Sequence, residues 1–267
     1  MSSQSIEIPL IIGGNEVKTG NTSTCVMPHN HQHVLATYHK AGPKEVQMAI
    51  DASLNAKSTW ASMPWQSRTA VFKRMANLLA GPYRDIINAA TMLNQSKNAF
   101  QAEIDAACEL IDFFNFNIKY VQDIYSEQPL YSPEPTWNMV QYRPLEGFVF
   151  AVTPFNFTSI AGNLPSAPAL MGNTAIWKPA SSSVYSGYYL MKLFQEAGLP
   201  DGVINFIPGE GRVLGDIVMK NENLAGVHFT GSTAVFQQMW KTVGNNIQNY
   251  KSYPRIVGET GGKDFIL

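Results

Sequence analysis

From Leu145 onward, five short apolar runs take turns with stretches of helical periodicity. The runs are Gly147–Val152, Thr174–Trp177, Val203–Ile207, Val227–Phe229 and Ile256–Val257. Between them lie helical stretches near Ser159–Met171, Ser183–Ala197, Arg212–Met219 and Thr233–Asn246. Short, continuously apolar runs suit strands buried on both faces, and an intervening helix is the crossover that parallel strands require. The alternation predicts an α/β fold, a doubly wound and mostly parallel sheet with helices on both faces. Such sheets bind ligands beyond the carboxyl ends of their strands, so the residues that follow each run are the candidates for function.

The residues upstream read differently. Residues 1–42 form a β/turn segment in which Ile8–Ile12, Gly13-Gly14-Asn15 and Glu16-Val17 spell a hairpin with a tight turn. Residues 43–127 form a helical region. Pro43 and Pro64 each open a helix, Gly81-Pro82 punctuates the second, and a third runs to about Leu93. A long helix then spans about Ala99 to Ser126, with Phe100, Ile104, Cys108, Ile111 and Ile118 as its expected apolar side. Residues 128–144 hold Pro129, Pro133, Pro135 and Pro144 and are expected to form an extended crossing arm with edge-strand character. Residues 145–267 form the sheet-bearing core.

Composition excludes several classes. The 267 residues carry 19 Lys+Arg against 20 Asp+Glu, and no long basic run favours nucleic acid or an anionic membrane. No apolar stretch approaches a membrane span, and the opening MSSQSIEIPLIIGG lacks the pattern of a secretory leader. Two cysteines, Cys25 and Cys108, make no disulfide framework and suit a reducing compartment. His29, His31 and His33 alternate but lack Cys or acidic partners at metal spacing, so no metal site is expected and a polar strand or loop is the reading.

Each run is followed by residues with two readings. After the first comes Thr153-Pro154-Phe155-Asn156-Phe157. The Asn156 carboxamide can donate into a pocket as an oxyanion-hole group does, or it can serve its own turn. After the second, Lys178 can bond ribose hydroxyls or phosphate, or stand solvated on a loop. After the third, Pro208-Gly209-Glu210-Gly211, with Gly215 beyond, lets a nucleotide approach the backbone without being a clean dinucleotide fingerprint. After the fourth, Gly231-Ser232 opens a helix whose free N–H groups suit a phosphate, although Ser232 can be a helix cap alone. After the fifth, Glu259 among glycines suits a general base, or a surface turn.

In order, the string TPFNF…WKP…FTGS…GETGGK resembles the aldehyde dehydrogenase superfamily, and the likeness covers the whole chain as that family's N-terminal half. The longer strings QAEIDAACELIDFFNFN, LEGFVFAVTPFNFTSIAGNLPSAPALMGN and YPRIVGETGGKDF resemble its pyrroline-5-carboxylate dehydrogenase branch. The resemblance implies a Rossmann-like NAD-binding domain with a partial oligomerisation arm. It implies Asn156 as the oxyanion-hole amide and Glu259 as the base that activates water. It implies NAD contacts from Thr153, Lys178, Gly231, Ser232, Thr233, Ala234 and Val235. Glu109 and Phe157 match a carboxylate and an aromatic wall of the substrate tunnel, although Asp105, Glu109 and Asp112 by spacing alone read as a solvated helix face. The implied reaction is NAD-dependent oxidation of L-glutamate 5-semialdehyde to glutamate in proline degradation, by attack of a cysteine thiolate on the aldehyde.

Neither cysteine suits that attack. Cys25 lies in the turn-rich opening, and Cys108 is expected on the apolar side of the long helix as inert packing. Asp264–Leu267 reads as a strand that the chain leaves unfinished, so a fragment inactive by itself is expected, its full-length form a homo-oligomer in bacterial cytoplasm or mitochondrial matrix. Two other functions remain open: an aldehyde dehydrogenase for another aldehyde, and a non-catalytic NAD-binding or regulatory module.

Overall fold

Turn chemistry sets the first elements of the structure, a computed structural model that describes Met1 and residues 5–262. Lys263 and the expected strand at 264–267 lie outside the described residues. After β1 (Ile6–Ile8), β2 (Leu10–Ile12) and β3 (Asn15–Val17) form the expected hairpin. Gly13 and Gly14 between them have φ of 56° and 79°, the two positive values that a two-residue turn of matching twist needs. β4 (Thr22–Met27) and β5 (Asn30–His39) pair antiparallel, and β1 joins β5 in parallel to complete a three-stranded sheet. His29 lies in the turn of that pair and meets Ser96 Oγ at 2.7 Å; His31 and His33 lie in β5.

Helices follow: α1 (Pro43–Ser62), α2 (Trp65–Ala80), α3 (Arg84–Gln95), then α4 (Ala99–Ala102) and α5 (Leu110–Ser126), which a π turn at Glu103–Glu109 joins into one rod. The expected apolar side of this rod holds only in its second half, where Ile111 and Ile118 are half-buried against the core; the first half is wrong. Phe100 is 74% exposed, Ile104 50%, and Cys108 is exposed too, while Ala102, Asp105, Ala106, Ala107, Leu110, Phe114 and Val121 are buried. Close packing is the reason. The rod lies against a helix whose Gly162 approaches Leu110 so closely that a Cβ would stand 2.8 Å from its Cδ2, and in the first half of the rod the small Ala102, Ala106 and Ala107 face inward while Phe100 and Ile104 face out. The extra residue of the π turn also resets which side faces the core.

The arm at 128–144 contains no strand. Its hydrogen bonds close on the segment itself and its flank, as between Gln128 and Val140, and Leu130, Tyr131 and Trp137 stand exposed. Four prolines remove the donors a ladder would need.

The core then alternates as expected: β6 (Phe148–Val152), α6 (Thr158–Leu170), β7 (Thr174–Lys178), α7 (Val184–Glu196), β8 (Ile204–Phe206), α8 (Gly211–Lys220), β9 (Leu224–Gly231), α9 (Thr233–Asn245) and β10 (Arg255–Thr260). The sheet order is β10-β9-β6-β7-β8-β2-β3, with the first five strands parallel and the hairpin β2-β3 closing one edge antiparallel. Successive side chains enter opposite cores. Ala175, Trp177 and Phe206 pack among the aromatics of α2, α5 and α7, while Phe148, Phe150, Ile176 and Phe229 pack under α1 and α8. β6 lies between β7 and β9, so the chain's winding reverses there and a crevice opens beyond the ends of β6 and β9.

Candidate functional site

A cleft of about 1460 Å³ occupies that crevice. Phe150 and Phe229 form its floor, α8 and α9 its walls, and the loop Thr153–Phe157 and the end of β10 its mouth. A smaller concavity of about 740 Å³ lies along Gln141–Glu146 and Ile247–Arg255 and includes none of the predicted site residues.

Asn156 stands exposed at the mouth, with its backbone carbonyl accepting from Lys97 Nζ at 2.6 Å. Among the described residues its carboxamide has no hydrogen-bond partner, so its N–H groups are available to a ligand. Glu259 lines the same cleft, also exposed. It lies one residue inside the end of β10 rather than in a turn after it, because β10 runs on in register with β9 as far as Thr260. Thr153 is buried, and its Oγ1 accepts from Trp177 Nε1 at 3.0 Å, which fixes the first residue after β6 against β7.

Lys178 is the last residue of β7 and is 8% exposed, not solvated. Its Nζ donates to the Pro179 carbonyl at 3.0 Å. Burial disfavours the ammonium and pulls its pKa down to about 8. Gly231 ends β9, and Ser232 caps α9 by accepting from Val235 N at 3.4 Å. Gly231, Ser232 and Val235 line the cleft; Thr233 and Ala234 sit in the first turn of α9 but do not. Phe157 lines the mouth, with Lys97 Nζ 4.4 Å above its ring. Glu109 does not line the cleft. It belongs to the π turn and lies 2.8 Å from Ser159 Oγ, behind the loop that carries Asn156.

The glycine-rich turn divides its labour. A Cβ on Gly209 would stand 2.8 Å from Leu214 Cδ1, so this glycine serves packing. Gly215 has open space beyond it and leaves the wall of the cleft bare.

Three residues that the sequence did not single out organise the mouth: Lys97, Asp105 and Ser159. Asp105, expected on a solvated face, is 2% exposed and accepts from the backbone N–H groups of Thr158 and Ser159, each at 3.1 Å. Phe157 precedes α6 without an oxygen to cap it, so the donors of its first turn must find an acceptor elsewhere in the fold. That missing cap is the sequence signal that could have pointed to a remote carboxylate.

A cleft at the switch point of a doubly wound sheet, with a carboxamide and a carboxylate at its mouth, places the chain in the class of α/β proteins that bind a ligand beyond the carboxyl ends of their strands. The aldehyde dehydrogenase family profile matches residues 16–267, and the chain belongs to that family. It is 51% identical over 259 residues to the Δ1-pyrroline-5-carboxylate dehydrogenase of Agaricus bisporus, covering 97% of this chain and 47% of that protein. It is 45% identical to the mitochondrial enzyme of that name from Homo sapiens, covering 97% of this chain and 46% of that protein. The solved structure of the Mycobacterium tuberculosis Δ-pyrroline-5-carboxylate dehydrogenase bound with NAD superposes with a TM-score of 0.96 at 52% identity, covering 98% of this chain and 49% of that one. The chain thus spans about half the length of the curated relatives it matches.

Proposed function

We propose that this chain carries the NAD site and part of the catalytic site of a dehydrogenase that oxidises L-glutamate 5-semialdehyde, formed from Δ1-pyrroline-5-carboxylate, to glutamate. The observation that carries the reading is that Asn156, Glu259 and Lys178, distant in sequence, line one cleft. The names of the relatives supply the substrate.

The residues present fit a dinucleotide. Gly215 leaves room against α8, Val213 and Val235 offer exposed apolar surface, and the first turn of α9 presents free N–H groups suited to a pyrophosphate. Lys178 and Thr153 stand at the strand ends between these walls. Thr233 and Ala234 contribute through that first turn rather than by lining the cleft. Bound there, NAD supplies the hydride acceptor. The Asn156 carboxamide donates a hydrogen bond to the oxyanion that develops on the aldehyde oxygen, and Glu259 takes a proton from the attacking water in the hydrolytic step. Phe157 forms an aromatic wall, and Glu109 influences the substrate side through Ser159.

Among the described residues neither cysteine lines this cleft. Cys25 lies in β4, buried, accepts from Asn94 Nδ2 at 3.1 Å, and burial pushes its thiol pKa up. Cys108 is exposed beside Arg84 and Glu103, away from the cleft lining. The 267 residues alone therefore bind NAD but turn over no aldehyde. Calorimetry with NAD, and NADH formation from pyrroline-5-carboxylate, test both halves of that statement. Turnover by the isolated chain above a no-protein control overturns the second, and absence of NAD binding overturns the first. In the longest natural form of the protein that contains this sequence, preference for another aldehyde would move the substrate assignment, and NAD binding without turnover would favour a regulatory module.

Among the described residues no helix is long and apolar enough to cross a membrane. Several eukaryotic relatives, those of Dictyostelium discoideum and Homo sapiens among them, carry mitochondrial in their names, which supports the mitochondrial matrix for a eukaryotic form; a bacterial form would be cytoplasmic. The exposed Leu130, Tyr131 and Trp137 of the arm support a homo-oligomer, which sedimentation of the full-length protein would test.

A further inference from the structure

Asn156 lies on a loop, yet an oxyanion donor must be held within a fraction of an ångström of its working position. The structure shows what holds it. Ser96 closes α3 with a left-handed φ of 54°, and Asn98 caps α4 by accepting from Gln101 N at 2.8 Å. Lys97 is the single residue between these two helix ends, so its backbone direction is set from both sides. Its side chain, 16% exposed, reaches Asp105 Oδ2 at 2.6 Å and the Asn156 carbonyl at 2.6 Å, and its ammonium lies over the Phe157 ring. Asp105 in turn takes the amides of Thr158 and Ser159. Ser159 Oγ lies 2.8 Å from both Asp105 Oδ1 and Glu109 Oε2, and its one proton serves one carboxylate at a time. Four consecutive residues, 156 to 159, are gripped by one ion pair whose carboxylate is buried and whose ammonium is half-buried.

We infer that Lys97 and Asp105 are positioning residues for Asn156: the pair fixes the loop so that the carboxamide faces the cleft before substrate arrives. The inference rests on the proposed role of Asn156 in aldehyde oxidation. The π turn belongs to the device, since it brings Asp105 and Glu109 together onto Ser159.

The test uses the longest natural form of the protein that contains this sequence, with Lys97→Met, Lys97→Arg and Asp105→Asn, and the exposed Lys119→Met as control. Expected for Lys97→Met is a kcat lower by about a hundredfold, the scale of a misplaced catalytic group, with NAD affinity within twofold. Lys97→Arg, which keeps the cation, recovers at least a tenth of wild-type kcat, and Lys119→Met changes nothing. Hydrogen exchange at Thr158 and Ser159 quickens in Asp105→Asn and Lys97→Met. A Lys97→Met protein that is folded, exchanges normally at these amides and retains kcat within twofold of wild type overturns the inference. So does a loss of activity explained wholly by loss of folded protein, with Lys97→Arg no better than Lys97→Met. If the wild-type protein oxidises no aldehyde, the proposed function fails instead, and exchange at Thr158 and Ser159 still decides whether the pair holds the loop.

Discussion

Two helix starts flank the cleft, and they are built in opposite ways. At α6 the first-turn amides end on the buried carboxylate of Asp105, which is itself paired with Lys97. At α9 the first turn has only its own Ser232, an exposed cap with a long 3.4 Å contact. A helix start with an internal acceptor is rigid and uninteresting to an anion; one left with free N–H groups is a ready anion site. The two cations follow the same division. Lys97 has a carboxylate and a carbonyl, while Lys178 has the Pro179 carbonyl and the cleft. One side of the cleft is organised to hold a protein group still, the other to receive a ligand.

Removing the acceptor at α6 should break this contrast most. Asp105→Ala leaves a nearly buried ammonium and two buried amides without their partner, a loss of about 3–5 kcal/mol. Urea unfolding measures it, and a loss below about 1 kcal/mol, the size expected of a surface ion pair, would mean the carboxylate is not structural. Next comes the group that the rigid side presents. Asn156→Ala in the longest natural form of the protein that contains this sequence should lower kcat by about 10²–10³, the cost of one oxyanion donor, without changing NAD affinity; steady-state kinetics with calorimetry separates the two.

Lys178 sharpens the contrast through pH. Folded, its pKa is about 8 rather than 10.5. Between those values the unfolded chain holds a proton that the folded chain has released, so stability without ligand rises with pH across that window, by about 1–3 kcal/mol. Lys178→Met should remove the rise, and identical pH profiles for the two proteins would show that the lysine is not desolvated. The smallest effect belongs to α9. Ser232→Ala should cost about 1 kcal/mol or less in thermal unfolding, as loss of an exposed cap does. A larger cost would make that helix start as internally anchored as α6.

Much of the scaffold was legible in residues alone. The five apolar runs and the helices between them appear where the periodicity put them, and β2-β3 forms at Gly13-Gly14. Asn156, Lys178, Gly231, Ser232 and Glu259 could be picked out because the ends of parallel strands converge, whereas Val235 came only from the family resemblance. The rod at 99–126 misled for an equally physical reason. Its large apolar residues Phe100 and Ile104 look like a core stripe, but close approach to α6 selects alanines for the inside. Asp105 then looked like a surface carboxylate because its partners, Thr158, Ser159 and Lys97, lie 53, 54 and 8 residues away.

Periodicity and turn chemistry act over a few residues, and they sufficed for the order of elements, the parallel sheet and the place of the cleft. Which side of a helix is buried, which charge loses its water and which loop is held still depend on atoms far apart in the chain. Those were decided only when α6 closed onto the π turn, because burial and ion pairing exist only between surfaces that folding has brought together.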